Sequence, residues 1–321
     1  MPEPLLQVRN LKTHFHGRTR EIRAVDGLDL DVHHGQVVCL VGESGSGKSM
    51  ASLSVMRLVP RPHGRIVDGT IRFDGRDLLS LDERQMNAVR GNEIAMIFQE
   101  PMTALNPVLT IGEQVAEVLH VHRGTGRRES LDAVVAMLRR VGVPRAGEIV
   151  HEYPHQLSGG LRQRAMIAMA MICGPRLLIA DEPTTALDVT IQAQVLALMK
   201  EVRREFRTSI VLITHDLGVV AEMAEHVYVM YAGQIVESVA ADVLFQSPVH
   251  PYTRALMDSI PSLTAERDVL FSIPGNVPDA GAYPEGCRFA GRCPIAQPSC
   301  RDHPIPLREV KPGHFARCDL V

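Results

Sequence analysis

The segment Val37-Val38-Cys39-Leu40-Val41, followed by Gly42-Glu43-Ser44-Gly45-Ser46-Gly47-Lys48-Ser49, constrains the fold more than any other part of the chain. Five apolar residues of β type run into a glycine-rich turn of the pattern G-x-x-x-x-G-K-[ST], and the residues after Lys48 read as a helix. Phosphate binding needs strand, loop and helix in that order. Glycines let the backbone curve with its N–H groups bare, and the helix offers the positive end of its dipole. Two further apolar runs end in polar residues: residues 177–180 at Asp181-Glu182, and residues 210–213 at Thr214-His215-Asp216. Buried parallel strands look like this when their carboxyl ends line a site, so the core is expected to be a doubly wound α/β sheet.

With 321 residues and 45% apolar content, the chain can bury one large core or two domains. Its longest uninterrupted apolar run, residues 165–173, is nine residues long, far short of the roughly 20 needed to cross a bilayer. The start, Met1-Pro2-Glu3-Pro4, lacks the basic and apolar regions of a signal peptide. The expectation is a soluble protein that reaches a membrane only through partner chains. Lys plus Arg number 34 against 37 Asp plus Glu, a net charge of −3. Without a basic excess, DNA or RNA is disfavoured as primary ligand.

Between residues 99 and 174 the pattern turns helical, with apolar periodicity over 111–120 and 131–141 and little β signal, which suggests an inserted helical subdomain. From residue 274 to 306 seven prolines accumulate, incompatible with ordinary helix or sheet. Cys39 and Cys173 sit in apolar runs and read as core residues. Cys287, Cys293, Cys300 and Cys318 crowd the last 35 positions, and in a cytosolic protein such a cluster suggests metal rather than disulfides.

The chemistry follows from residue types. The backbone of Gly42, Ser44, Gly45 and Gly47 would cradle a triphosphate, Lys48 would bridge its β and γ phosphates, and the Ser49 hydroxyl would coordinate Mg²⁺. Asp181 can hold Mg²⁺ directly or through water, and Glu182 can polarise an attacking water; the ordinary alternative for adjacent acids is solvated surface. Gln99 follows Ala95-Met96-Ile97-Phe98, so its amide would sit at a strand end, able to meet Mg²⁺ or the nucleophilic water. Ser158 is a good N-cap, and Gly159 and Gly160 leave N–H groups bare at the next helix start, a second anion-binding half-site.

A phosphate loop alone leaves kinases, GTPases and helicases open. Here Ser158-Gly159-Gly160 comes next, Asp181 lies 23 residues beyond Ser158, and His215 lies 34 beyond Asp181. That order and spacing resembles the ATP-binding cassette family, the nucleotide-driven motors of membrane transporters. The resemblance implies a P-loop NTPase (RecA-like) core with an inserted helical subdomain, an N-terminal antiparallel β part and a small cysteine-containing C-terminal extension. The implied bounds are 1–100 with 174–240 for the core, 101–173 for the helical subdomain and 241–321 for the extension. It also implies that Ala180-Asp181-Glu182-Pro183-Thr184-Thr185-Ala186-Leu187-Asp188 is the Walker B and D-loop run and that Phe98-Gln99-Glu100-Pro101 is the γ-phosphate-sensing Q-loop. His215 would donate to the γ-phosphate, and Phe15 would stack on adenine. The signature Leu157-Ser158-Gly159-Gly160-Leu161-Arg162-Gln163-Arg164 would face the P-loop of a second cassette, so that ATP joins two chains and hydrolysis releases them.

FQEPMTALNP from Phe98, YPHQLSGG from Tyr153 and HPYTRAL from His250 resemble, more narrowly, the dipeptide and oligopeptide importer ATPases, a group that includes nickel and glutathione import subunits. Leu161 departs from the Met or Gln usual there. The implied partners are a second ATPase subunit, identical or a paralogue, two transmembrane permeases and, indirectly, an extracytoplasmic peptide-binding protein. The implied location is the cytoplasmic face of the cell membrane. A groove for the permease's coupling helix would lie in the helical subdomain, from about Pro101 to Ala170. A soluble cassette acting on DNA or the ribosome is the rival reading; one cassette and no heptad run speak against it.

Cys287-x₅-Cys293-x₆-Cys300-x₁₇-Cys318 supplies the four thiols of a [4Fe-4S] cluster or, alternatively, a structural Zn²⁺, with the spacing favouring iron. Arg288, Arg292, Arg301, Arg308, Lys311 and Arg317 would offset a tetrathiolate's charge. The bland alternative is four reduced structural cysteines.

Overall fold

The computed structural model describes residues 3–17, 20–99, 104–185, 187–259 and 272–321. Met1, Pro2, Glu100, Pro101 and Ala186, each named in an expectation above, lie outside the described residues. Along the chain run β1 (Leu6–His16), β2 (Glu21–Val32), β3 (Val37–Val41), α1 (Lys48–Val55), β4 (Gly64–Phe73), β5 (Arg76–Asp77), α2 (Glu83–Val89) and β6 (Ile94–Ile97). Then come α3 (Ile111–Arg123), α4 (Arg127–Arg140), α5 (Ala146–Ile149), α6 (Gly159–Met171), β7 (Leu177–Asp181), α7 (Val189–Phe206) and β8 (Ser209–Thr214). The last stretch holds α8 (Leu217–Met223), β9 (His226–Tyr231), β10 (Gln234–Ala240), α9 (Ala241–Gln246), α10 (Pro251–Asp258), β11 (Arg308–Lys311) and β12 (His314–Ala316). The chain divides into two compact units, residues 1–33, 37–79 and 213–321 in one and residues 34–36 and 80–212 in the other.

The first unit contains an antiparallel sheet ordered β2-β1-β4-β5, the expected N-terminal β part. β1 is its centre, pairing Leu6 with Val32 on one side and Phe15 with Gly64 on the other. Leu6, Val8 and Leu11 are buried. Beside it stands a sheet ordered β11-β12-β10-β9-β3. All five residues of β3 are buried, which is why its sequence is a continuous apolar run rather than an alternating one. β3 and β9 are parallel, from Val38 opposite His226 to Val41 opposite Val229, so the glycine loop leaves the sheet at the carboxyl end of both strands.

In the second unit β6 and β7 are parallel, Ile94 opposite Leu177 and Ile97 opposite Ala180, and β8 follows on the other side of β7. Four of its helices, α2, α3, α6 and α7, start at side-chain caps. A reciprocal Thr110–Glu113 capping box opens α3, and Gly124 in the left-handed conformation, φ 64°, ends it. The expected helices 111–120 and 131–141 are thus α3, three residues longer, and α4, which starts at Arg127 behind Gly126. α3, α4 and α6 pack on one another through Ile111, Val115, Val134, Leu138, Ile167 and Met171, all buried.

The proline-rich stretch 274–306 has no strand or α-helix among its residues. β11 and β12 then extend the first unit's sheet beyond β10, with Glu237 opposite Ala316.

Candidate nucleotide site

The phosphate loop has the shape its glycines permit and few other residues could adopt. Gly47 has φ 104°, and a Cβ placed there would lie 2.2 Å from the Ala24 carbonyl oxygen. A Cβ on Gly42 would lie 2.1 Å from the carbonyl oxygen of Met230. Lys48 is 5% exposed and its Nζ donates to the carbonyls of Gly42 at 2.7 Å and Glu43 at 2.9 Å, which aims the ammonium along the loop's inner curve. α1 begins at Lys48 with no side-chain cap, and the N-terminal end of a helix attracts an anion.

In the second unit, Asp181 is the last residue of the fully buried β7 and is 3% exposed. Glu182 follows in the left-handed region, φ 47°, a conformation uncommon for a residue with a side chain and frequent at functional sites. Its Oε2 accepts from Gln99 Nε2 at 3.0 Å and from Thr185 Oγ1 at 2.9 Å. Two residues expected to act on the attacking water, Gln99 and Glu182, are therefore in direct contact. Thr185, which helps hold the carboxylate, was not singled out in the sequence; its place in the Asp181 to Asp188 run was the available signal.

Ser158 caps α6, its hydroxyl accepting from Leu161 N–H at 3.4 Å. Ser158 and Gly159 are exposed, and a Cβ on Gly159 would meet nothing within 4 Å, whereas Gly160 faces Ile191 at 3.1 Å. The helix start is open on the Gly159 side. His215 is exposed between β8 and the Asp216 cap of α8. Phe15 is half-buried in β1, its ring against Gly64.

The expected metal centre in the extension is not supported. Cys287, Cys293, Cys300 and Cys318 are free thiols, and among the described residues no group of three or more His, Cys, Asp or Glu could hold a metal ion. Burial and the neighbouring thiols push Cys287 up to about 11, and burial likewise raises Cys293 and Cys318. Three of the six cations assigned to offset a cluster have partners outside the cysteines. Arg288 pairs with Asp26, Arg292 pairs with Glu43, and Arg317 donates to the carbonyls of Ile235 and Ile305.

Comparison with known proteins agrees with this geometry. Residues 25–185 match the family described as ABC transporter, and residues 236–300 match the oligopeptide/dipeptide transporter C-terminal region. The oligopeptide transport ATP-binding protein AppD of Bacillus subtilis (strain 168) is 55% identical over 98% of this chain and 96% of its own length. The chain belongs to the ABC transporter family. OppD of Salmonella typhimurium, likewise an oligopeptide transport ATP-binding protein, is 46% identical over 99% of this chain and 95% of its own. Among solved structures, the ATP-binding cassette MJ0796, a dimer in a post-hydrolysis state bound to ADP and Pi, superposes with a TM-score of 0.65. It is 26% identical, over 74% of this chain and 98% of that one. As an ABC ATPase, the chain has the α/β P-loop fold expected of it. Among the described residues no helix is long and apolar enough to cross a membrane.

Proposed function

We propose that this ABC ATPase powers import of dipeptides or oligopeptides, with two such subunits closing around ATP beneath two permease chains fed by an extracytoplasmic binding protein. The names of its relatives support the peptide cargo, and the dimeric cassette supports the pairing. The subunit would sit at the cytoplasmic face of the membrane, and peptide choice would belong to the permease and binding-protein chains. The helical segment 101–173 would carry the groove for the permease, although its first residues, Pro101 to Thr103, lie outside the described residues.

The observation that carries the chemistry is Glu182, a carboxylate at a strand end steadied by Gln99 and Thr185 beside the buried Asp181. Glu182 accepts a hydrogen bond from the attacking water and turns the water's lone pair toward the γ-phosphorus. The water oxygen bonds to that phosphorus as the bond to the β–γ bridging oxygen breaks, the water's proton passes by way of the Glu182 carboxylate to the medium, and ADP and phosphate leave. The Ser49 hydroxyl and the Asp181 carboxylate are hard oxygen donors of the kind Mg²⁺ takes. An Mg²⁺ ion taken by such donors would neutralise phosphate charge. Lys48 and the amides of Gly42, Ser44, Gly45 and Gly47 hold the β and γ phosphates, and His215 donates to the γ-phosphate. Ser158, Gly159 and Gly160 of the partner subunit's copy close the far side, and Phe15 lies against adenine. Loss of the γ-phosphate removes the charge that bridges the two chains, which then part. The iron–sulfur reading of the cysteines has no part in this proposal.

In the Glu182→Gln variant, ATP binding should persist while turnover falls by roughly 10²–10⁴-fold and an ATP-dependent dimer accumulates in light scattering. Turnover at the parent rate would contradict the role given to Glu182.

A further inference from the structure

Glu43, the second residue of the phosphate loop, is held from outside the loop by residues of the C-terminal part of the same unit. The Arg292 guanidinium forks onto its carboxylate, Nη1 to Oε2 at 2.8 Å and Nη2 to Oε1 at 3.0 Å. The Glu43 N–H donates to the Tyr252 hydroxyl at 2.8 Å, while its carbonyl accepts from Lys48 Nζ. Arg292 is itself fixed by the Ile273 and Pro274 carbonyls at 3.1 and 2.9 Å and by the Tyr231 hydroxyl at 3.3 Å. Its side chain is 6% exposed. Tyr231 and Tyr252 stand 4.6 Å apart, and both meet Phe289 edge-on.

Two physical consequences follow for a triphosphate site. A carboxylate on the loop repels the incoming anion unless a cation offsets it, and a bidentate arginine with low exposure does so at short range. A loop that must be ordered on binding lowers apparent affinity by the fraction of time it is unready, and pinning its second residue removes that loss. We propose that Arg292, seconded by Tyr252, is a positioning residue for nucleotide: the C-terminal extension holds the phosphate loop in its binding shape and neutralises Glu43. The tyrosine of HPYTRAL thereby acquires a task, and because Arg292 adjoins Cys293, rearrangement of the cysteine segment changes ATP affinity. The inference rests on the reading of this loop as the ATP site.

ATP affinity and turnover of the purified full-length chain and its variants test the proposal. Arg292→Ala should raise the KM for ATP about tenfold, the equivalent of about 1.4 kcal/mol, with kcat within about twofold. Adding Glu43→Gln to Arg292→Ala should recover most of that loss, because the stranded carboxylate is gone. A merely structural arginine would lower melting temperature and the active fraction while leaving KM alone. Arg292→Ala that folds with parent KM, or a double variant no better than Arg292→Ala, overturns the proposal. Should Arg292→Ala fail to fold, Arg292→Lys keeps the charge without the fork; about a threefold rise in KM is expected, and an unchanged KM is fatal. Lys48→Ala in parallel should abolish ATP binding. If it binds ATP normally, the nucleotide reading of the loop fails, whatever happens at Arg292.

Discussion

Alanine substitutions at three loop glycines separate two costs that are usually confounded, the backbone angle and the space for a side chain. Gly45 has φ 78° but nothing within 4 Å of its would-be Cβ, so Gly45→Ala costs only the left-handed backbone, about 1–2 kcal/mol. Gly42 is the reverse case. Its φ is not positive, yet its Cβ would lie 2.1 Å from the Met230 carbonyl oxygen. That oxygen belongs to β9 and cannot swing aside as a side chain would, so the cost is overpacking at the upper end, roughly 3 kcal/mol. Gly47 combines both, φ 104° with the Ala24 carbonyl oxygen at 2.2 Å and Met230 Cε at 2.8 Å, and should lose roughly 4 kcal/mol or more. At about 2–4 °C per kcal/mol, calorimetry should place Gly45→Ala a few degrees below the parent, Gly42→Ala further down and Gly47→Ala lowest, by on the order of 10 °C. ATP binding measured alongside should weaken in the same order. A Gly45→Ala variant melting as low as Gly47→Ala would refute the separation.

Burial drives His250 down to about 3 and His226 down to about 4, against about 6.5 in an unfolded chain. Between those values the unfolded chain binds protons that the folded one does not. Stability therefore falls as pH drops from about 6.5 toward 4, by up to about 1.4 kcal/mol per pH unit for each histidine. His250→Asn keeps an acceptor for the Tyr252 N–H and should flatten the acid slope of melting temperature; an unaltered slope would remove His250 from the account. Gln163 in α6 is fully buried, and neither amide atom has a hydrogen-bond partner among the described residues. Gln163→Met should accordingly stabilise by about 1 kcal/mol, read as a rise of a few degrees in melting temperature, and a fall would show the amide to be satisfied.

The parts of the fold legible in the sequence were those set by local rules. The apolar runs became β3, β7 and β8 because strands covered on both faces tolerate few polar residues, and Ser158 began a helix because its hydroxyl serves an orphan N–H group. The acidic end of β7 was legible as an apolar run stopping at Asp181, but the contact of Glu182 with Gln99 was not. What escaped depends on distant pairing. The fork of Arg292 on Glu43 joins residues 249 positions apart, and the sequence offered Arg292 only as a counter-charge for thiolates and Glu43 only as a residue of the phosphate loop. The same holds beside the cysteines: Arg288 and Arg292, expected to offset a cluster, pair with Asp26 and Glu43.

β12 lies along β10, and from that strand the Glu237 carboxylate, entirely enclosed, accepts from His314 Nε2 at 2.7 Å and from the N–H groups of Val249 and His250 at 2.9 and 2.8 Å. The last dozen residues of the chain thus act as a seal. A message ending early would leave a naked sheet border, open to sticking to other chains, and an acid interred without its imidazole. The tail is accordingly an organ of solubility as much as an appendage, and nonsense changes there should be read as damage to the whole cassette.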